Sequence, residues 1–167
     1  MRTIIAEKRL QLKIKSMGRK IAADYDGKIP VFIGVLKGSF MFMADLIRAA
    51  AIDCEIDFMS VASYGQSRRG AGIVRLQKDI NINIRDRHVL IVEDIIDSGL
   101  TANYLRQYLQ LRQPATIEFI TLLDKNGARK ENIDIKYVGF EIPDIFAVGY
   151  GLDYDERHRQ LPFIAKD

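Results

Sequence analysis

The chemistry of this chain is concentrated in residues 89–101, Val89-Leu-Ile-Val-Glu-Asp-Ile-Ile-Asp-Ser-Gly-Leu-Thr101. Its second half, Asp97-Ser-Gly-Leu-Thr101, offers two hydroxyls, a glycine and a series of backbone N–H groups at the start of an expected helix. That is a plausible cradle for a phosphate, since a helix N-terminus has unpaired donors and the positive end of the macrodipole. Three carboxylates, Glu93, Asp94 and Asp97, share the loop and would repel a bare phosphate, so they must face sugar hydroxyls, a divalent cation or an N–H of a base. A phosphorylated ribose carrying magnesium has all of these. The plain alternative is an Asp-Ser-Gly turn with Thr101 as an ordinary N-cap. Against it stand the adjacent acids Glu93 and Asp94, which cost stability at the end of a buried strand unless a partner satisfies them. Lys37-Gly-Ser39 is not the Gly-Lys-Ser/Thr of a P-loop, and Gly70-Ala-Gly72 lacks the third glycine of the dinucleotide fingerprint.

The elements that must position these groups follow from periodicity. Leu10, Ile14, Met17, Ile21 and Tyr25 recur every three or four residues between lysines and arginines, which predicts an amphipathic helix. After the breaker Asp26-Gly-Lys-Ile-Pro30, the apolar run Val31–Leu36 reads as a buried parallel strand. A helix follows from near Ser39 to Ala50, apolar on more than one face, and suggests burial on two sides, one of them against another subunit. Residues 56–64 and 74–80 read as two paired strands joined by a mobile loop over 65–72, where three glycines and two arginines occur in eight residues. Val89–Val92 is the strongest strand signal, and Tyr104, Leu105, Tyr108 and Leu109 mark the helix after the acidic loop. Further strands are expected at 115–123, 137–140 and 146–149. Strands alternating with helices argue for an α/β fold with a mostly parallel twisted sheet flanked by helices. Ligands of such sheets bind beyond the carboxyl ends of the strands. The unusual residues lie there: Lys37-Gly38, Glu93 to Thr101, Asp124-Lys125 and Asp153.

Composition bounds the function further. With 167 residues, one domain over 1–167 is expected. Twenty-five basic against 22 acidic residues leave a net charge of +3, too small to argue for nucleic acid. The N-terminal ten residues carry charge where a signal peptide needs an apolar stretch, and no segment approaches a membrane span, so a cytoplasmic protein is expected. The single Cys54 excludes an intramolecular disulfide and reads as a packing residue. His88 and His158 are the only histidines open to a metal site.

The segment from Val89 to Thr101 resembles the 5-phosphoribosyl 1-pyrophosphate (PRPP) motif of the purine phosphoribosyltransferases, most closely the hypoxanthine-guanine branch. The resemblance extends over nearly the whole chain. Val35-Leu-Lys-Gly-Ser-Phe-Met-Phe-Met-Ala-Asp-Leu46 resembles the family's pyrophosphate loop and helix, and Ser63-Tyr-Gly65 the start of its catalytic loop. Leu122-Leu-Asp-Lys125 resembles the purine-reading strand end, and Val138–Asp144 through Phe163 the hood over the base.

The resemblance implies a type I phosphoribosyltransferase fold, with a core over about 25–140 and a small hood from about 141–167 plus the N-terminal segment. It implies an enzyme of purine salvage that moves phosphoribosyl from PRPP to N9 of hypoxanthine or guanine, giving IMP or GMP and pyrophosphate. Glu93 and Asp94 would engage the ribose hydroxyls directly or through magnesium, and Asp97 would be the general base toward the purine N7. The 5′-phosphate would lie on residues 97–101, that is Asp97, Ser98, Gly99, Leu100 and Thr101. Lys125 would read the purine 6-oxygen, Phe146 would stack on the base with Ala147 at its edge and Ile95 opposite, and Asp153 would bind a second magnesium. Lys37, Gly38 and Arg159 would hold pyrophosphate, and the Ser63-Tyr64 loop would close over the site. The Leu36-Lys37 peptide resembles one that is cis in the family. The implied partners are PRPP and a 6-oxopurine, neither nucleic acid nor membrane, and a second copy of the chain in a homodimer or homotetramer.

Departures from the family pattern are Asn126-Gly-Ala-Arg-Lys130, where Pro and Arg are common, and Ala147, where valine is common. They bear on base preference. A rival reading is a regulator that keeps the fold to sense PRPP or bind nucleic acid; such a protein would tend to carry an added DNA-binding segment or to have lost the acids. A second rival is a transferase acting on xanthine or a pyrimidine, of which xanthine shares the 6-oxygen.

Overall fold

A computed structural model describes residues 1–64 and 73–166. In chain order the elements are β1 (Arg2–Ile5), α1 (Glu7–Asp24), β2 (Val31–Leu36), α2 (Phe40–Ala50), β3 (Glu55–Tyr64), β4 (Ile73–Lys78), β5 (His88–Ile96), α3 (Leu100–Gln110), β6 (Thr116–Asp124), a single 3-10 turn at Asn126–Ala128, β7 (Tyr137–Glu141), β8 (Ala147–Val148) and β9 (Ile164–Lys166). The loop expected over 65–72 lies outside the described residues.

The larger sheet runs β4-β3-β2-β5-β6-β7. Every pair from β3 to β7 is parallel, and the edge strand β4 is antiparallel to β3. The central strands β2 and, over Val89–Val92, β5 are continuously apolar because both of their faces are covered. Alternate residues of β2 and β5 go to opposite layers, as the period of two requires. Phe32, Leu90 and Val92 pack with α1 and α2, through Leu10, Ile14, Ile21, Phe42 and Leu46. Val31, Ile33, Val89 and Ile91 pack with α3, through Ala102, Leu105 and Leu109.

A second sheet, β1-β9-β8, is antiparallel throughout. The expected strand at 146–149 is therefore real over Ala147–Val148 but does not join the parallel sheet. Its apolar residues satisfy burial equally well against β9, and periodicity carries no record of the partner strand. The N-terminal segment, with no strand expected in it, pairs with the C-terminal one, Arg2 opposite Lys166 and Ile5 opposite Ile164. Tyr150 anchors this sheet to the helical layer: its hydroxyl donates to Asp45 on α2, which also accepts from Gln11 Nε2 of α1 at 3.2 Å. On α2, Phe42, Met43, Leu46 and Ala50 are buried while Phe40 is exposed. No helix among the described residues is long and apolar enough to cross a membrane.

Candidate active site

β5 sets the site. Its buried run continues without a break from Val89 through Glu93, so a carboxylate occupies a position where the preceding side chains are all hydrocarbon. None of the hydrogen bonds among the described residues reaches the Glu93 carboxylate. Burial, and then the neighbouring charges of Asp94 and Asp97, push its pKa well above the ordinary carboxylate range. Asp94 is pushed up to about 6, again mainly by burial; the Ile95 N–H, donating to Oδ1 at 3.0 Å, and the positive field of Arg159 oppose the rise, and the charge of Asp153 adds to it. Two adjacent carboxylates held in this way store a demand for cations, hydroxyls or protons.

Beyond them the chain turns into α3. Asp97 is exposed and accepts from the Ser98 N–H, while Ser98 Oγ faces the Leu100 N–H at 3.4 Å. Gly99, not Thr101, is the N-cap, with φ +82°, a left-handed conformation that glycine adopts without steric cost. Gly99 itself supplies no side-chain cap, and of the first turn of α3 the Leu100 N–H meets Ser98 Oγ. The 129–131 segment braces this turn: Lys130 and Glu131 donate their N–H groups to the Ser98 carbonyl at 2.9 and 3.0 Å.

The loop after β2 lies against the same acids. The Leu36-Lys37 peptide is cis. Gly38 is in contact with Asp94, and a Cβ at residue 38 would stand 1.7 Å from Asp94 Oδ2. Behind Gly38 sits Gly151, φ +99°, whose own Cβ would meet the Gly38 carbonyl oxygen at 2.1 Å. Arg159 closes the stack, donating from Nη1 to the Gly151 carbonyl at 2.8 Å and pairing its Nη2 with Asp153 Oδ1 at 3.0 Å. Lys37, Gly38, Asp94, Asp153 and Arg159, scattered over more than a hundred residues of sequence, thus form one contiguous group.

β6 delivers the other end of the site. The Lys125 N–H donates to the Ile96 carbonyl at 2.9 Å, which fixes Lys125 beside the end of β5. Its side chain is largely buried, at 12% exposure, and Nζ donates to Asp144 Oδ1 at 3.3 Å. Asp124 pairs with Arg129, which returns over the Gly99 turn. Ile95 is half-buried and Ala147 is buried in β8. Phe146 is 53% exposed, with its ring edge-to-face on Tyr154 at 5.5 Å. An aromatic ring left this open at a strand end fits a surface waiting for a flat partner. Ser63 and Tyr64 end β3, opposite Val74 and Ile73. The closure expected of their loop lies outside the described residues.

Residues 2–155 match the family model of the phosphoribosyl transferase domain. The chain belongs to the phosphoribosyltransferases, in their hypoxanthine-guanine branch. It is 47% identical to a hypoxanthine-guanine phosphoribosyltransferase of Bacillus subtilis (strain 168), over 98% of this chain and 91% of that one. It is 46% identical to the hypoxanthine phosphoribosyltransferase of Escherichia coli (strain K12), over 98% of this chain and 93% of that one. A crystal structure of a hypoxanthine-guanine phosphoribosyltransferase from Bacillus anthracis superimposes with a TM-score of 0.96 at 48% identity, covering all of this chain and 98% of the other. The phosphoribosyltransferase fold expected from the sequence is therefore the fold observed.

Three groups around these candidate residues were not legible in the sequence. Asp144 pairs with Lys125, Glu156 pairs with Lys37, and Arg129 ties the Lys125 strand end to the Gly99 turn. Only Glu156 left a signal, its place three residues before Arg159.

Proposed function

We propose that the site transfers the 5-phosphoribosyl group of PRPP to N9 of hypoxanthine, and of guanine, forming IMP or GMP and releasing pyrophosphate. The observation that carries the reading is the pair at the end of β5, the buried Glu93 and the half-buried Asp94, both pushed above the ordinary carboxylate range, next to the Gly99 turn that opens α3. A ribose 5-phosphate meets both demands at once: its hydroxyls face the acids and its phosphate takes the N–H groups of residues 97–101.

As the C1–O bond to pyrophosphate breaks and the C1–N9 bond forms, positive charge develops on the ribose, and Glu93 and Asp94 lie where they favour it. Asp97 accepts the purine N7 proton. Lys37, the Gly38 backbone and Arg159 take the departing pyrophosphate. Lys125 donates to the 6-oxygen, a contact that the amino group of adenine rejects by presenting a donor to a donor. Phe146 stacks on the base, with Ala147 at its edge and Ile95 on the other side, and Ser63-Tyr64 close the site against water.

Glu93, Asp94 and Asp153 offer hard carboxylate oxygens, which suit magnesium. Among the described residues no three His, Cys, Asp or Glu side chains stand close enough together to hold a metal by themselves. When bound, magnesium supplies charge neutralisation on PRPP and pyrophosphate. The exposed Phe40 on α2 supports a homodimer or homotetramer, which light scattering would resolve, and the lone half-buried cysteine supports a cytoplasmic setting.

The test supplies PRPP and magnesium with hypoxanthine, guanine, xanthine and adenine separately. IMP and GMP formation is expected, xanthine is the base that the Lys125 contact discriminates least, and adenine should give no product. Product from adenine would overturn the role of Lys125; product from none would overturn the reaction.

A further inference from the structure

Lys37 and Arg159 come from opposite ends of the chain, yet one carboxylate holds both. Glu156 Oε1 accepts from Lys37 Nζ at 3.0 Å, and its Oε2 accepts from Arg159 Nη2 at 3.0 Å. One oxygen on each of two cations is the way a phosphate anion would bridge them. The surroundings differ on the two sides of this bridge. Arg159 is anchored independently, by the Gly151 carbonyl at 2.8 Å and Asp153 at 3.0 Å, so it keeps its place when the carboxylate leaves. Glu156 is not packed: its side chain is 63% exposed and that of Lys37 is 67% exposed.

The backbone beneath Glu156 is nevertheless fixed. Tyr154 and Arg157 exchange N–H to carbonyl bonds of 3.1 and 3.0 Å across a turn with left-handed φ values of +50° at Asp155 and +61° at Glu156. The Glu156 N–H donates to Asp153 Oδ2 at 2.9 Å. A rigid turn thus presents a carboxylate whose side-chain rotation alone is enough to engage or free both cations.

We infer that Glu156 is an internal competitor for the pyrophosphate subsite: it bridges Lys37 and Arg159 when the site is empty, gives way to the pyrophosphate of PRPP, and returns as pyrophosphate departs. The inference rests on the proposed placement of pyrophosphate on Lys37 and Arg159. Its signature is a sign. Removing a competitor strengthens pyrophosphate binding, whereas removing an acid that positions Arg159 or shares a metal weakens it. Exposed ion pairs are individually weak, so the expected gain is about two- to tenfold in affinity.

The experiment titrates magnesium pyrophosphate into the full chain by calorimetry for wild type, Glu156→Gln and Lys37→Ala, and measures pyrophosphate product inhibition of each. Tighter binding and stronger product inhibition in Glu156→Gln, with weaker binding in Lys37→Ala, are expected. If Lys37→Ala weakens binding while Glu156→Gln leaves it equal or weaker, the competitor role is overturned and the placement of pyrophosphate stands. If Lys37→Ala binds as wild type does, the placement on Lys37 fails and the inference fails with it.

Discussion

Two sets of carboxylates in this molecule occupy comparable places at the margins of the parallel sheet and meet opposite fates. Asp57 on β3 accepts from the backbone N–H groups of Phe58 at 2.7 Å, Asn81 at 2.6 Å and Ile82 at 3.0 Å, with Lys78 Nζ at 3.5 Å. Asp79, just after β4, accepts from the Ile80 N–H and the Tyr108 hydroxyl, both at 2.7 Å, and from Arg112. Burial raises both carboxyls, but these donors outweigh it and hold each below the ordinary range. At the end of β5 the balance reverses: burial dominates, donors are few, and Glu93 and Asp94 are pushed up. The same side chain is therefore an internal brace where the chain supplies its donors and a ligand group where it does not.

The sharpest break of this contrast is at Asp97. Replacing it with Asn removes the proton acceptor without changing shape, and kcat should fall by about 10²- to 10⁴-fold with much smaller changes in KM. Steady-state kinetics with PRPP and hypoxanthine read this directly, and an unchanged kcat would remove Asp97 from the general-base role. Gly38→Ala comes next. Its Cβ would collide with Asp94, so one of the two must move, and a displacement near 1 Å costs on the order of 10²-fold in kcat/KM.

The two sets should separate cleanly by stability. Asp57→Ala strands three backbone N–H groups and should cost about 1–3 kcal/mol in urea unfolding. Glu93→Gln replaces a buried carboxyl whose ionised form burial and its neighbours disfavour with a neutral isostere, so the ligand-free protein should be equally or more stable while losing activity. A destabilised Glu93→Gln would mean that Glu93 is a brace after all.

Smaller effects test the same division by pH. The Asp57 carboxyl is depressed in the folded state, below the ~3.9 of the unfolded chain. Its contribution is thus fully present above about pH 4 and lost as pH falls through the folded value. Melting temperatures of wild type should fall through this acid window more steeply than those of Asp57→Asn, and parallel curves would contradict the bracing role. Cys54, with its thiol pushed up by burial and by Asp53, is outside both sets. Cys54→Ser should leave kinetics unchanged and alter stability by less than about 1 kcal/mol.

Much of the site was written locally. The acidic loop, the glycine and hydroxyls after it, and the buried strand before it lie within residues 89–101, because strand, turn and helix start are adjacent in sequence and each has its own residue preferences. Helical and strand periods likewise marked α1, α2, β2, β5 and β6, since burial on one face or both is a property of a segment by itself. The sequence alone therefore determined the layered α/β elements, the ribose-phosphate chemistry and the family. Only tertiary structure decided that β8 leaves the parallel sheet for β9, that Gly38 rests on Asp94, and that Lys37 meets Glu156 across 119 positions. The physical reason is common to all three. Periodicity and propensity record how much of a residue is covered, while the identity of the covering group depends on how separate segments close on one another, and here those closures bring Glu156 to Lys37 and Asp144 to Lys125.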